Sequence, residues 1–289
     1  MFSSHQTNLS LTDKFKVSII GCGNVGATAA YALLLDGIIT DLAIIDMNKE
    51  KAEGIILDLE HSLPFTSYVK LSGGDDYSLC VESDIVIITA GKRQADGESR
   101  LDLIRANRAI FEDMIPKISA AAPNSILMIV TNPVDVLTYE ALRISEFPEN
   151  RVFGTGTTLD TSRLRFNISE KIHIHPQNIE AYILGEHGDS SFPVYGSANV
   201  SGKPLLEFEN FTQQDADQCY ADTKNAAYRI IHDVGYTCYS IATVARELTR
   251  NIFNDSHKVF PLSVYTITTV FPTLPSAFLA SSAAMALKK

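Results

Sequence analysis

His187 lies in a glycine-bounded turn, Gly185–Asp189, and its side chain is the type best suited to acid–base chemistry near neutral pH. Asp160 and Arg163 stand three residues apart in a predicted helix, so they occupy neighbouring positions on one face. One possibility is that the two side chains form an ion pair at the surface and have no further role. Alternatively, Asp160 orients the imidazole, fixes its tautomer and raises its pKa, while the planar Arg163 guanidinium binds a substrate carboxylate.

A glycine-rich loop near the start of the chain could hold a dinucleotide. Residues 16–26 run from a short apolar strand into a GxGxxG pattern. The first glycine permits a tight turn, the second lets the backbone approach a pyrophosphate, and the third lets the following helix pack on the strand. The helix N-terminus supplies N–H donors to the phosphates. The candidate cofactor-binding residues of this loop are Gly21, Gly23, Asn24, Val25 and Gly26.

Asp46 follows a second apolar strand, twenty residues after Gly26. At this offset a carboxylate binds the adenosine ribose hydroxyls. A bare GxGxxG is weak evidence, since related folds bind S-adenosylmethionine, but strand, loop and helix are all present here. A carboxylate would also repel a 2′-phosphate, which favours NAD over NADP.

Two further loops are predicted to leave the carboxyl edge of the sheet, where ligands of such sheets bind. The first, Thr89–Arg100, carries Ala90, Gly91, Gln94 and Arg100. It could be a solvated connection, or it could fold over the substrate, expel water and deliver a cation to a carbonyl. The second contains Asn132, which could orient ligand or cofactor, although such a residue alone more often forms a turn.

The elements that must position these residues read as an α/β fold. Apolar runs at 16–21, 41–46, 84–89 and 125–131 alternate with helical segments, as in a doubly wound parallel sheet covered on both faces. From about Val152 onward we expect longer helices, including one over 216–248, and short strands around 181–184 and 192–200. The prediction is a Rossmann-type domain over residues 1–154 followed by a mixed α/β substrate domain over 155–289.

Composition limits the classes of partner. The chain has 289 residues, 45% of them hydrophobic, and a formal net charge of −10, which argues against nucleic acid or an anionic membrane surface. Its four cysteines are far apart and no CxxC pair suggests a metal. The first fifteen residues lack an apolar core typical of secretory signals, so we expect a cytoplasmic protein. The stretch Val259–Leu287 has no charged residue, but its prolines argue against a membrane span.

Taken together, these segments resemble the lactate/malate dehydrogenase family, and within it the L-lactate dehydrogenases. The motifs that carry the resemblance occur in the family's order across roughly residues 15–265: the glycine loop, 94–100, 131–133, 159–163, 185–189 and 235–237. The resemblance implies reversible hydride transfer between NAD and a small 2-hydroxy or 2-keto acid. It also implies a homo-oligomer, either a tetramer or a dimer.

The family pattern assigns a role to each matched residue. His187 is the proton donor, Asp160 orients it, and Arg163 binds the substrate carboxylate. Arg100 polarises the keto group. The remaining assignments are Asn132 to orienting His187 and substrate, Thr237 to the substrate pocket, Ile241 to packing on the nicotinamide, and Thr89, Ala90 and Gly91 to the cofactor site.

Gln94 stands where lactate-type members carry Gln and malate-type members carry Arg. A neutral amide leaves the second carboxylate of oxaloacetate unpaired, which favours pyruvate. Two alternatives stay open: a dehydrogenase for bulkier 2-hydroxy acids, and a non-catalytic NAD-binding protein.

The sequence departs from the family pattern in two places. Members activated by fructose 1,6-bisphosphate usually carry a basic pair; Arg165 matches one position, but Glu180 occupies the other. Beyond about Tyr265 the chain is short and carries no charged residue before Lys288 and Lys289, where the family continues to a charged helix. From this tail we expect a loosely held C-terminal segment and turnover impaired more than NADH binding.

Overall fold

Six parallel strands form the central sheet of the computed structural model, which describes residues 14–92, 97 and 99–265, with only the backbone of Arg100. The strands are β1 (Lys16–Ile20), β2 (Asp41–Ile45), β3 (Lys70–Gly74), β4 (Ile85–Ile88), β5 (Ile126–Ile129) and β6 (Val152–Gly154). Their spatial order is β3-β2-β1-β4-β5-β6, so the order of connection changes direction between β1 and β4. Their apolar residues are almost entirely buried, which explains why the runs are continuous rather than alternating.

Helices cover both faces of this sheet. The first four are α1 (Asn24–Asp36), α2 (Lys49–Glu60), α3 (Arg100–Ala121) and α4 (Val134–Ser145). Ile19 and its neighbours on one face pack with α1 and α2, whereas Ile20 and its neighbours on the other face pack with α3 and α4. This is the predicted doubly wound α/β fold of Rossmann type, and that prediction is confirmed.

The second half of the chain is a mixed α/β region with its own core, centred on Leu164, Ile168 and Phe211. Its elements are α5 (Thr158–Ile172), β7 (Ile179–Glu180), β8 (Ile183–Leu184), β9 (Phe192–Pro193), β10 (Asn199–Val200), β11 (Lys203–Pro204), α6 (Gln213–Val234) and α7 (Tyr239–Phe253). The strands are short and antiparallel, in a three-stranded sheet (β11-β10-β7) and a pair (β8-β9).

The single helix expected over 216–248 is wrong, because the chain forms two helices there. α6 ends at Val234 and α7 begins at Tyr239. Gly235 adopts a left-handed conformation with φ of 87°, which glycine tolerates and which commonly ends a helix. No strand was predicted at β3 or β6, and no bounds were predicted for α2 or α4.

Within the described residues, no helix is both long and apolar enough to cross a membrane. The uncharged C-terminal stretch lies largely outside those residues, since the description ends at Tyr265. The expectation about a loosely held tail therefore stays a prediction.

Candidate active site

The glycine loop joins β1 to α1 with little space to spare. Gly21 has φ of 93°, and a Cβ there would lie 2.7 Å from the backbone of Ala90. A Cβ on Gly26 would lie 1.9 Å from the carbonyl oxygen of Gly21, so only glycine lets the helix approach the strand this closely. By contrast, a Cβ on Gly23 would have no described heavy atom within 4 Å. The loop therefore packs closely on the protein at Gly21 and Gly26, whereas Gly23 leaves open the side where a pyrophosphate would bind.

The first turn of α1 offers its amides to that open side. The helix begins at Asn24, with Val25 next, and no acidic residue occupies its first turn. Its backbone N–H groups and the positive end of its dipole are therefore available to an anion. This geometry fits the phosphates of a dinucleotide.

Asp46 directly follows β2 and holds the loop in place. Its Oδ2 accepts a hydrogen bond from the N–H of Cys22 at 2.7 Å, and its Oδ1 accepts one from the N–H of Asn48 at 2.9 Å. Burial alone would raise the pKa of Asp46, but these backbone hydrogen bonds hold it below its usual value. The carboxylate is therefore charged at neutral pH and lies beside the glycine loop.

The start of the loop after β4 packs against the same turn. The hydroxyl of Thr89 donates to the carbonyl oxygen of Gly21 at 2.8 Å. The hydroxyl of Thr131, after β5, donates to the carbonyl oxygen of Ala90 at 2.8 Å. A Cβ on Gly91 would lie 2.3 Å from a methyl carbon of Thr131, so this position also requires glycine. Three strand ends are thus joined at the carboxyl edge of the sheet.

His187 lies in the turn between β8 and β9. Gly185 begins this turn with φ of 92°. The turn is anchored to α5 through Ile183, whose N–H donates to the hydroxyl of Thr161 at 2.9 Å and whose carbonyl accepts from the hydroxyl of Thr157 at 2.6 Å. These bonds hold His187 beside the first turns of α5.

The structure brings His187, Asp160 and Arg163 together. The imidazole Nδ1 lies 2.6 Å from Asp160 Oδ2, and Arg163 Nη1 lies 3.4 Å from Asp160 Oδ1. Side-chain exposure is 26% for His187, 15% for Asp160 and 14% for Arg163, so these charges are largely shielded from solvent. Because Asp160 binds Nδ1, Nε2 is the ring nitrogen that remains for proton transfer to a substrate.

Burial and charge oppose each other in this cluster. Burial would lower the pKa of His187, but the hydrogen bond and charge of Asp160, helped by the charge of Asp135, raise it above its usual value. Burial would raise the pKa of Asp160, yet its bond to His187 and the charges of His187 and Arg163 lower it. Burial lowers the pKa of Arg163, although Asp160 opposes that shift. The arrangement therefore favours an imidazolium beside a carboxylate.

A cavity of about 150 Å³ adjoins this cluster. Its wall includes His187, Asp160 and Arg163, and α6 contributes Tyr220 and Lys224. Sequence reasoning missed the α6 residues. One signal could have found them, since residues three or four positions apart share one face of a helix. The α6 residues with this spacing are Tyr220, Thr223, Lys224 and Ala227.

In the described part of the chain, no side-chain hydrogen bond or ion pair joins the other predicted site residues to this cluster. The Asn132 side chain accepts a hydrogen bond from the N–H of Val134 at 3.3 Å. Thr237 is half-buried between α6 and α7. Ile241 packs against the core on the α1 face of the sheet. Gln94 and the side chain of Arg100 lie outside the described residues.

Asp135 is a further residue that sequence reasoning missed. It occupies the first turn of α4, and its Oδ2 accepts a hydrogen bond from the backbone N–H of His187 at 2.8 Å. Its position three residues after Asn132, at a helix start, could have marked it only as a helix-stabilising acid. In the part of the chain that the structure describes, no group of three or more His, Cys, Asp or Glu residues could hold a metal ion.

Two family models together match most of the chain. Residues 15–154 match the lactate/malate dehydrogenase NAD binding domain, and residues 157–281 match the alpha/beta C-terminal domain of the same family. NAD is therefore the cofactor, as predicted. The second match continues beyond residue 265, where we expected the resemblance to end.

Similar proteins include several named L-lactate dehydrogenases. One from Thermoanaerobacter pseudethanolicus is 43% identical over 271 residues, covering 90% of this chain and 87% of that protein. The L-lactate dehydrogenase A chain of the fish Dissostichus mawsoni is 43% identical over 253 residues, covering 86% and 76%.

Solved structures agree with these relatives. The minor L-lactate dehydrogenase of Enterococcus mundtii aligns with a TM-score of 0.84 at 38% identity, covering 88% of this chain and 82% of that one. A lactate dehydrogenase from a Medee basin deep-sea metagenome library also aligns with a TM-score of 0.84, at 39% identity and with 87% and 82% coverage. With both halves of the chain matched and the identities well above 30%, this protein belongs to the lactate/malate dehydrogenase family.

Proposed function

We propose that this chain is an L-lactate dehydrogenase that reversibly reduces pyruvate to L-lactate with NADH, a reaction of glycolysis and fermentation. The observation that carries the proposal is the 2.6 Å contact between His187 Nδ1 and Asp160 Oδ2, with Arg163 beside it in one cavity. A shielded acid and a shielded guanidinium are what reduction of a 2-keto acid requires. The named relatives support this choice of substrate.

The chain's own residues fit the cofactor. The open side of the glycine loop, the uncapped N–H groups of α1 and the charged Asp46 match a pyrophosphate and a ribose without a 2′-phosphate. When bound, NADH supplies the hydride that adds to C2 of the keto acid. We assign cofactor binding to Gly21, Gly23, Asn24, Val25, Gly26, Asp46, Thr89, Ala90, Gly91, Asn132 and Ile241.

His187 balances the charge that the hydride brings. As C2 gains the hydride, the carbonyl oxygen gains negative charge, and the His187 imidazolium donates its Nε2 proton to that oxygen. Asp160 keeps the ring in the required orientation and stabilises the imidazolium before transfer. In the reverse direction the neutral imidazole takes the hydroxyl proton of lactate. The products of reduction are thus lactate, oxidised cofactor and neutral His187.

Arg163 binds the substrate carboxylate. Its guanidinium is a rigid fork of N–H donors that suits a carboxylate, and burial strengthens the attraction between the two charges. The family pattern adds Arg100, which polarises the keto group, and Gln94, which accommodates a methyl group rather than a second carboxylate. It also adds Asn132 and Thr237 to the substrate site.

We also propose domain bounds, a cellular location and an assembly state for the protein. We assign residues 1–154 to the NAD-binding domain and 155–289 to the substrate-binding domain, with the end of β6 at Gly154 as support. The family membership supports a homo-oligomer, tetramer or dimer, acting on a small-molecule substrate. The four free, buried cysteines suit the reducing cytoplasm, where we place the protein.

The test follows NADH absorbance with pyruvate, oxaloacetate and a bulkier 2-keto acid. The unmodified chain should turn over pyruvate with the highest kcat/KM and form one L-lactate per NADH consumed. Gln94→Arg should shift preference toward oxaloacetate, because the added guanidinium pairs with its second carboxylate. NADH binding without turnover of any keto acid would reject the proposal. An unchanged preference in Gln94→Arg would reject the role of Gln94.

A further inference from the structure

Asp135 connects three parts of the chain that are distant in sequence. Its Oδ2 accepts the backbone N–H of His187 at 2.8 Å, and its Oδ1 accepts the hydroxyl of Ser263 at 2.5 Å. Both carboxylate oxygens are therefore engaged. One bond reaches the turn that carries His187, and the other reaches the last described segment of the chain.

The Ser263 end of this connection is itself fixed to the central sheet. The N–H of Gly154 donates to the carbonyl oxygen of Ser263 at 2.8 Å, and the N–H of Ser263 donates back to Gly154 at 3.1 Å. Ser263 is almost fully buried. A Cβ on Gly154 would lie 3.0 Å from Ser263 Cβ, so the two segments are tightly packed. Asp135 thus accepts its hydrogen bond from a buried residue that is paired with the central sheet.

The His187 end complements the role of Asp160. Asp160 on α5 binds the ring of His187, whereas Asp135 on α4 binds its main chain. The two helices belong to different halves of the chain, so the histidine is held from both. Asp135 is not among the residues that line the cavity beside His187, so its bond to the His187 main chain leaves that cavity free.

Charge gives the second reason to single out Asp135. Among the described residues, the charged groups around His187 include Asp160 and Arg163 on α5, Asp135 on α4, the adjacent Glu186, and Asp189 and Lys224 at the cavity wall. The charge of Asp135 favours the imidazolium, in the same sense as Asp160. A neutral residue of the same shape would keep the hydrogen bonds but lose this effect.

We propose that Asp135 is a positioning residue for His187, fixing the main chain of the histidine from α4 while Ser263 fixes Asp135. This inference rests on the proposed function, because it assigns His187 to proton transfer. It also predicts properties of His187 that are measurable without turnover.

Two substitutions separate position from charge. In Asp135→Asn the amide oxygen can still accept from His187, and the amide N–H can donate to Ser263, so geometry is retained and charge is lost. Asp135→Ala removes both bonds. We expect Asp135→Asn to lower the His187 pKa, as read from imidazole NMR titration, and to move the falling limb of the kcat/KM profile for pyruvate to lower pH.

For Asp135→Ala we expect faster exchange of the His187 amide and a kcat lower by about tenfold or more, because a hydrogen bond to a charged acceptor is lost. NADH affinity should be unchanged, which reports that the fold survives. Ser263→Ala should show the same changes to a smaller degree. The matched control is Asp113→Asn on α3, an exposed acid paired with Lys117, which should leave every readout unchanged.

The outcomes distinguish this inference from the proposed function. If the unmodified chain binds NADH but does not reduce any keto acid, the proposed function fails, and amide exchange and imidazole titration still test Asp135. If Asp135→Ala binds NADH normally and its His187 amide exchange and kcat match the parent, Asp135 does not position the histidine. An unchanged His187 pKa in Asp135→Asn would overturn the contribution of its charge.

Discussion

At the residue scale, His187 is held by carboxylates at two points, its ring by Asp160 and its main chain by Asp135. The pKa of His187 is raised and that of Asp160 is lowered, and both shifts favour the charged pair. A group whose pKa is raised keeps its proton to higher pH. Reduction, which consumes that proton, is therefore extended toward neutral and alkaline pH by the pair.

The pH dependence of turnover follows from the raised pKa of His187. kcat/KM for pyruvate should fall as pH rises through the His187 pKa of the free enzyme, whereas lactate oxidation should lose efficiency as pH falls. Asp160→Asn should move both limbs to lower pH and reduce kcat for pyruvate on the order of 10²-fold. Steady-state rates across pH measure both effects. If the variant kept the parent's profiles and rates, the two residues would not act as a pair.

Asp46 governs the choice between NADH and NADPH. Its carboxylate is charged and lies next to the glycine loop, so the 2′-phosphate of NADPH should be repelled. Asp46→Ser keeps a hydroxyl that can accept from Cys22, and it should narrow the gap between the cofactors by about tenfold or more. The measurement is kcat/KM for each cofactor, with thermal stability as the control. Equal use of both cofactors by the parent would contradict this role.

How far the residues were predictable depends on sequence distance. Asp160 and Arg163 were found because helical spacing puts them on one face, and Asp46 because its offset from the glycine loop is characteristic. Asp135 could not be found this way. Its partner His187 is 52 positions away, and only the docking of α4 against the β8–β9 turn brings them together.

At the element scale, one glycine ends α6 and separates it from α7. Gly235 ends the helix in a left-handed conformation, and α7 then packs its apolar face on α1. The apolar periodicity predicted helix on both sides of this break. It could not show where the helix is interrupted, because that follows from the backbone conformation at Gly235 and from packing on the first half of the chain.

The Arg165–Glu180 pair predicts weak or no activation by fructose 1,6-bisphosphate. Arg165 Nη2 lies 3.7 Å from Glu180 Oε2, its Nε donates to the carbonyl of Ala181 at 3.0 Å, and its guanidinium stacks on Tyr182. The guanidinium is thus already engaged, and Glu180 would repel phosphates. Rates at low pyruvate with and without the sugar bisphosphate measure activation, and Glu180→His should restore some. A large activation of the parent at neutral pH would refute the prediction.

At the scale of the whole molecule, the sheet was more predictable than the substrate half. Buried parallel strands appear as continuous apolar runs, so β1, β2, β4 and β5 were found within a residue or two at each end. β3 contains two glycines and β6 has only three residues, so neither forms such a run. The two-residue strands of the second half have too few positions for any periodicity.

The two halves are joined by more than the chain connection. α7 belongs to the second half in sequence, yet Ala242, Leu248 and Ile252 are buried in the core on the α1 face, and the ring of Phe253 stacks on Phe15 at 4.4 Å. On the other face, Asp135 links α4 to the turn of His187. These contacts connect the carboxyl edge of the sheet, where the cofactor binds, to the turn that carries His187.

The most direct test is a single turnover of pyruvate by the NADH-bound protein, with His187→Asn as the variant. The parent should oxidise its bound NADH on mixing with pyruvate and form L-lactate. His187→Asn should bind NADH with the parent's affinity and lose the rate of NADH oxidation by about 10²-fold or more, because general-acid catalysis is removed. A variant that oxidises NADH as fast as the parent would contradict the assignment of His187 as the proton donor.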